Sequence, residues 1–280
     1  MVSFLFLMKI RSTLATFLTK AGKSFGLNAD NLAMDNQAWH QRFVLQSLWT
    51  KQLRNYLLNQ INLDSNSKIL EVGSGTGALL SENLAISQHV FGIDFDHARN
   101  IYAKTLVFDL NLSTADAYQL PFPNNSFDFC FCHYLLLWLK HPTDALKEMR
   151  RVTRQGGFVI AFAEPDYDAR IDYPEIFKEI GTKQNKSLKE QGIQLNTGRR
   201  LKELFLAAGF TSLTMGMLSG EWKIPNQQTF DLEWEIISYD LSKTLSQEAI
   251  STLEHQAHLA YGQGTALTFI PTFYAIAEVM

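Results

Sequence analysis

Lys68-Ile69-Leu70-Glu71-Val72-Gly73-Ser74-Gly75-Thr76-Gly77 is the stretch from which the fold can be read. A short apolar strand, Lys68 to Val72, runs directly into three glycines at alternate positions, and a helix is expected from about Ala78 to Ala85. Such a turn lets a ligand approach the backbone, and the amino end of the helix offers unpaired N–H groups. Gly73, Gly75 and Ala78 also satisfy the GxGxxG/A dinucleotide template, so the loop by itself does not name its ligand.

Downstream of the loop the chain alternates strands and helices. A strand His89 to Ile93 ends at Asp94, and a helix starts near Asp96. A short strand near Ser113 ends at Asp116-Ala117, and Ser126 to Cys132 is rich in β-formers. Pro142 to Arg154 reads as a helix with Pro in its first turn and Gly156-Gly157 after its end. Phe158 to Ala163 is a fifth strand. This alternation predicts a parallel sheet with helices on both faces.

After Glu164 the rhythm breaks. Asp166 to Asn196 is polar and helical in part, and Asn196-Thr197-Gly198 can cap a helix running to about Ala208. Phe210 to Leu218 and Thr272 to Val279 read as two closing strands, which brings the sheet to seven. Trp222 to Tyr261 between them is expected to form a helical lid, because long structureless loops are uncommon inside compact domains. Upstream, apolar residues recur at helical spacing from about Gln37 to Gln60. The expected architecture is α/β: a Rossmann-like, seven-stranded, mostly parallel sheet with an N-terminal helical segment and the lid insertion. Residues 1–36 read as an extension, 37–280 as the domain, 68–164 as its core and 222–261 as the lid.

Composition narrows the function classes. The 280 residues are 46% hydrophobic and 19% charged, which excludes a disordered chain. The 25 basic and 28 acidic residues give a net charge of −3, so there is no basic excess to hold a nucleic-acid backbone. Two cysteines do not make a disulfide scaffold. Met1 to Met8 is apolar, but Lys9 and Arg11 follow it, the reverse of a secretory signal, and no run is long enough to span a bilayer. The expected location is cytoplasmic. Met8 can serve as an alternative start, and the spacing of Phe4, Leu7, Ile10, Leu14, Phe17 and Leu18 also fits a helix lying on a membrane surface.

Two acids raise the specificity of the glycine loop. Asp94, at the end of strand two, sits where a carboxylate reaches a pair of ribose hydroxyls, whereas Asp96 is better placed as a helix cap. Asp116 can accept from an adenine amino group or simply cap a turn. With ILEVGSGTG, FGID, ADAYQLPFPNNSFDF and LKEMRRVTRQGGFVI, the stretch Lys68 to Glu164 resembles the class I S-adenosylmethionine-dependent methyltransferases, in particular the methyltransferase type 11 group. The resemblance implies S-adenosylmethionine as cofactor. The Gly73–Gly77 loop, with Gly73, Ser74, Gly75 and Gly77, would lie against its methionine part, Asp94 would hold the ribose, Phe95 and Asp116 would meet the adenine, and Glu71 and Ala117 are further cofactor-binding candidates.

The remaining candidates stand at the carboxyl ends of strands. His133, after strand four, is a candidate base or a residue lining the cofactor, and Glu164, after strand five, is a second catalytic candidate. Tyr134, Asp166, Tyr167 and Trp222 are candidate substrate contacts. Cys130 and Cys132 read as core thiols, and His255 and His258 as helix positions without further ligands nearby, so no metal is expected. The expected reaction is in-line methyl transfer to a small molecule. A silent S-adenosylmethionine-binding protein and a protein methyltransferase are the alternatives. RNA is disfavoured by the charge and by the absence of an Asn-Pro-Pro-Tyr-type tetrapeptide after strand four.

Overall fold

The computed structural model describes residues 35–107, 110–218 and 227–280. The amphipathic stretch from Phe4 to Leu18 and the candidate Trp222 lie outside them. The strands are β1 (Lys68–Val72), β2 (His89–Asp94), β3 (Asn111–Thr114), β4 (Phe127–Cys132), β5 (Thr153–Pro165), β6 (Ile171–Tyr173), β7 (Leu213–Leu218), β8 (Leu267–Phe269) and β9 (Thr272–Glu278). The helices are α1 (Asn36–Leu58), α2 (Leu80–Asn83), α3 (His97–Leu106), α4 (Pro142–Val152), α5 (Glu175–Glu190), α6 (Thr197–Ala207), α7 (Gln227–Leu241) and α8 (Gln247–Gly262). Seven strands form one sheet in the order β3-β2-β1-β4-β5-β9-β7. Strands β1 to β5 pair in parallel, and β9 runs antiparallel to both β5 and β7.

Side-chain alternation along the strands builds two cores. Leu70, Val72, Cys130, Cys132, Val159 and Ala161 pack on one face, against Leu146 and Met149 of α4 and Leu201 and Phe205 of α6. Ile69, Phe129, Phe131, Ile160 and Phe162 fill the other face with Leu57 of α1, Leu80 of α2 and Ala103 of α3. Phe129, Phe131 and Phe162 form a buried aromatic triad with ring centroids 5.2 to 6.1 Å apart. Burying a side chain of this size contributes about 1.5–3 kcal/mol. Helices α7 and α8 have a core of their own with α5, built from Phe177, Ile180, Phe230, Trp234, Leu241, Ile250 and Leu253.

Several local expectations change. The helix after the glycine loop is one turn, α2, and no side chain caps its start at Leu79. Strand β5 begins at Thr153, so Gly156 and Gly157 lie inside it instead of ending a helix. Gly157 is needed there, because a Cβ would stand 2.6 Å from the Asp128 carbonyl oxygen. Asn196 occupies the cap position of α6 without a capping bond; the Thr197 hydroxyl donates to the Gln194 carbonyl at 2.9 Å instead. Strand β7 begins at Leu213, not Phe210. The two-stranded pair β6–β8, with Ile171 opposite Phe269 and Tyr173 opposite Leu267, was not foreseen in the sequence.

Candidate active site

The chain progresses in opposite directions across the sheet from β1 and β4, and in open α/β sheets ligands bind beyond the carboxyl ends of strands at such a switch point. The glycine loop stands there. Gly73, Gly75 and Gly77 have φ of 77°, 52° and 76°, a region that side-chain-bearing residues seldom enter. The loop is tied to β2 through the Gly73 and Ser74 N–H groups, which donate to the Ile93 carbonyl at 2.8 and 2.9 Å. Gly75 is also sterically required, since a Cβ would lie 2.9 Å from the Phe43 ring of α1.

Strand parity puts Glu71 and Asp94 on the α1 side of the sheet, the side of Ile69 and Val90. Asp94 is buried, accepting from the Gly75 N–H at 2.8 Å and from the Asp96 N–H at 2.9 Å. Each oxygen keeps a free acceptor direction. Asp96 caps α3 by accepting from the Ala98 N–H at 2.9 Å. The neighbouring Phe95 ring is 80% exposed, which is unusual for a large apolar side chain and leaves its face open. Glu71 Oε2 and Ser74 Oγ are buried without a hydrogen-bond partner. Burial pushes the Glu71 carboxyl well up, and the nearby Arg54 charge only partly offsets this. Asp116 lies two residues past β3, is exposed, and accepts from the Tyr118 N–H at 2.9 Å, so its carboxylate caps a turn; Ala117 beside it is buried.

Helix α1 roofs this cleft. His40 Nδ1 lies 2.9 Å from Thr76 Oγ1, and Thr50 Oγ1 lies 2.9 Å from His133 Nε2. Arg54 is buried and pairs with Glu82 at 2.5 Å, and it also donates to the Thr50 hydroxyl. The Arg99 guanidinium stacks 5.2 Å from the Trp39 ring and 5.7 Å from Phe43, which ties α3 to the roof. Trp39 meets Tyr239 of α7 edge to face at 5.7 Å. Sequence reasoning placed this helix but missed its site-facing residues. The signal was present: His40, Ser47, Thr50 and Arg54 are polar residues at the spacing of one helix face.

The catalytic candidates are held in ways the sequence did not suggest. His133 is buried, and desolvation, with the charge of Arg54, pushes its pKa down to about 3. The imidazole is neutral at pH 7. Glu164, the second catalytic candidate, is turned to the loop after β4. Its Oε1 accepts from the Leu135 and Leu136 N–H groups at 3.0 and 2.9 Å, and its Oε2 from Leu137 at 3.1 Å. Burial raises it to about 7 despite these three donors. The clamp holds Tyr134 at φ 52°, a strained conformation for a tyrosine. Asp166 is fully buried and forms an ion pair with Arg199, so it is not a free substrate contact. Tyr134 and Tyr167 pack together with Leu137, Leu188 and Ile193, and burial raises both phenols. Cys130 and Cys132 are buried in the core; His255 is exposed on α8, and the His258 ring lies tilted against Phe230 with centroids 4.5 Å apart.

Comparison with known proteins gives this cleft its chemistry. The family described as "Methyltransferase domain" matches residues 70–161. A demethylmenaquinone methyltransferase from Staphylococcus epidermidis is 30% identical over 61% of this chain and 78% of its own length. A malonyl-[acyl-carrier protein] O-methyltransferase from Erwinia billingiae is 32% identical over 44% of this chain, and the chain spans about half, 48%, of that relative. Among solved structures, the Bacillus halodurans C-125 protein BH2331 superposes with a TM-score of 0.55 at 15% identity, covering 80% of this chain and 97% of its own. None of the described helices is long and apolar enough to cross a membrane. The cleft fits S-adenosylmethionine: a loop whose three glycines all stand at positive φ, two orphaned buried polar atoms, a strand-end carboxylate with free acceptor directions and an exposed aromatic face. The chain belongs to the class I S-adenosylmethionine-dependent methyltransferases, and S-adenosylmethionine is its cofactor.

Proposed function

We propose that the protein transfers a methyl group to a small-molecule acceptor by in-line displacement, and that this chain's residues act by placement more than by proton transfer. Bound in the cleft, the cofactor supplies an already activated sulfonium methyl group. Gly73, Gly75 and Gly77 give it backbone, Asp94 takes the ribose hydroxyls, and Phe95, Asp116 and Ala117 flank the adenine. Glu71, Ser74 and His133 line the amino-acid end, where the two orphaned oxygens offer partners. Tyr134 and Tyr167 wall the acceptor side.

The observation that carries this reading is the state of the two catalytic candidates. A base works best when its pKa lies near the working pH. His133, at about 3, is far too weak; Glu164 lies near 7 but is fully buried, with its carboxylate turned to the backbone N–H groups of Leu135, Leu136 and Leu137. Positioning alone can supply about 7–11 kcal/mol. The relatives named for demethylmenaquinone and for malonyl-[acyl-carrier protein] support a metabolite-type acceptor. Helix α1 with α7 and α8 forms the cover that keeps water from the reacting atoms.

The test is methyl-labelled cofactor with fractionated metabolite extract. Label should enter a low-molecular-weight product. Label found only in protein would turn the reading to a protein methyltransferase, and cofactor binding without any product would turn it to a silent binder.

A further inference from the structure

Cys132 stands opposite Val72 where β4 pairs with β1, so His133 follows beside Gly73 at the start of the glycine loop. Its ring is fixed from two sides. Nε2 lies 2.9 Å from Thr50 Oγ1, and the Tyr134 ring meets the imidazole edge to face with centroids 4.7 Å apart. Nδ1 has no hydrogen-bond partner among the described residues. It is nevertheless not among the sealed atoms that lack one, and the residue keeps 9% of its surface exposed. Nδ1 is therefore the nitrogen that opens on the cleft.

A neutral imidazole carries one N–H, so what Nδ1 offers depends on whether Nε2 holds the hydrogen. The Thr50 hydroxyl decides this, because it has one hydrogen and two lone pairs. Arg54 Nη1 can only donate, and it takes one lone pair. The hydroxyl hydrogen then has three acceptors within reach: the Gln46 carbonyl at 3.3 Å, the Ser47 carbonyl at 3.2 Å and His133 Nε2 at 2.9 Å. Both carbonyls already serve the backbone ladder of α1, and that of Ser47 also accepts from Arg54 Nη1 at 2.6 Å. Nε2 is the nearest acceptor and has no other donor. A hydroxyl that accepts from a guanidinium is also a stronger donor on its other side. The buried Arg54 charge, paired with Glu82 at 2.5 Å, likewise favours a lone pair over an N–H on the imidazole edge that meets Thr50.

We infer that Thr50, with Arg54 behind it, holds His133 in the Nδ1–H tautomer, so that the imidazole is a fixed hydrogen-bond donor to the carboxylate of the cofactor. Thr50 and Arg54 are positioning residues, since they act through His133. Desolvation keeps the ring neutral, with a pKa of about 3. With its one open nitrogen already carrying a hydrogen, His133 has no lone pair there to take a proton from an acceptor. The tautomer follows from the hydrogen-bond network; the carboxylate as partner rests on the placement, proposed above, of His133 at the amino-acid end of the cofactor.

The test uses the full chain, free of ligand and with nitrogen-labelled histidine. Two-bond proton–nitrogen NMR spectra tell a protonated ring nitrogen from a bare one, and the signals missing from His133→Gln are those of His133. Wild type and Thr50→Ser should both show a protonated Nδ1 and a bare Nε2. Thr50→Val should show the opposite tautomer or a mixture. A protonated Nε2 in wild type, or an unchanged pattern in Thr50→Val, would overturn the inference. If Thr50→Val does not fold, the spectra of wild type and Thr50→Ser still decide it. Calorimetry gives a second readout. Thr50→Val should weaken S-adenosylhomocysteine by roughly 3- to 10-fold, the range for one net hydrogen bond, and Thr50→Ser should restore it. Decarboxylated S-adenosylhomocysteine should bind both variants as it binds wild type. Equal losses with the two ligands would mark the effect as structural and overturn the donor role. Label confined to protein in the acceptor test would overturn the small-molecule reading alone, because neither readout here involves an acceptor.

Discussion

Thr50 Oγ1 of α1 lies 2.9 Å from His133 Nε2 at the end of β4, and this bond ties the roof of the cleft to its floor. Both groups are buried, so neither has water as a substitute partner. Thr50→Val should destabilise the protein by about 1–3 kcal/mol, the cost of leaving a buried polar group unpaired. Thr50→Ser should recover most of it. Urea denaturation of the three proteins checks this; equal stability of Thr50→Val and wild type would show that the bond contributes nothing.

His133 and Glu164 should make opposite contributions to the pH dependence of stability. His133 has a pKa of about 3 when folded against 6.5 ordinarily, so its contribution is present above 6.5 and is lost as pH falls toward 3. Glu164 has a pKa of about 7 when folded against 4.5 ordinarily, so its contribution is present below 4.5 and is lost as pH rises through 7. Between 6.5 and 4.5 the two slopes oppose each other. Relative to wild type, His133→Gln should therefore gain stability on acidification by up to ~1.4 kcal/mol per pH unit. Glu164→Gln should lose by a similar slope. Parallel curves for all three proteins would refute these assignments.

Turnover should respond differently. His133→Ala should lower it by less than about 10²-fold, below the range for loss of a general base. A larger drop with S-adenosylhomocysteine affinity intact, together with loss of a titration seen in wild type, would restore His133 as a base.

Asp94→Ala removes a carboxylate that holds the Gly75 N–H and still has acceptor directions free. S-adenosylhomocysteine affinity should fall by roughly 5- to 150-fold, equivalent to about 1–3 kcal/mol. Calorimetry on the folded variant decides it, and unchanged affinity would remove Asp94 from the ribose site.

Gly75→Ala places a Cβ at φ 52° and 2.9 Å from the Phe43 ring. The backbone strain alone costs about 1–2 kcal/mol. Adding Phe43→Ala should relieve the contact but not the strain, so the double variant should recover only part of the loss. Full recovery would mean that the loop is free to relax.

The parts of the fold written in local spacing were legible from sequence. Val72-Gly73 marks the strand-to-loop junction by residue type alone, and the alternation of strands and helices follows from local periodicity. Asp94 could be placed because it ends a strand. What escaped was long-range. Glu164 looked like a free acid because nothing near it in sequence announces the backbone of Leu135 to Leu137 as its partner. Asp166 looked free for the same reason until Arg199 is brought beside it. The pair β6–β8 joins three-residue segments almost a hundred positions apart, too short to carry a periodic signal.

Helices α7 and α8 pack with α5 around Phe230, Trp234 and Leu253, separately from the two cores of the sheet. The consequence is one of independence. Substitutions within this cluster can be absorbed there, without disturbing the aromatic triad or the glycine loop. Packing faults in α5, α7 and α8 and packing faults in the sheet should therefore simply add in their cost to stability.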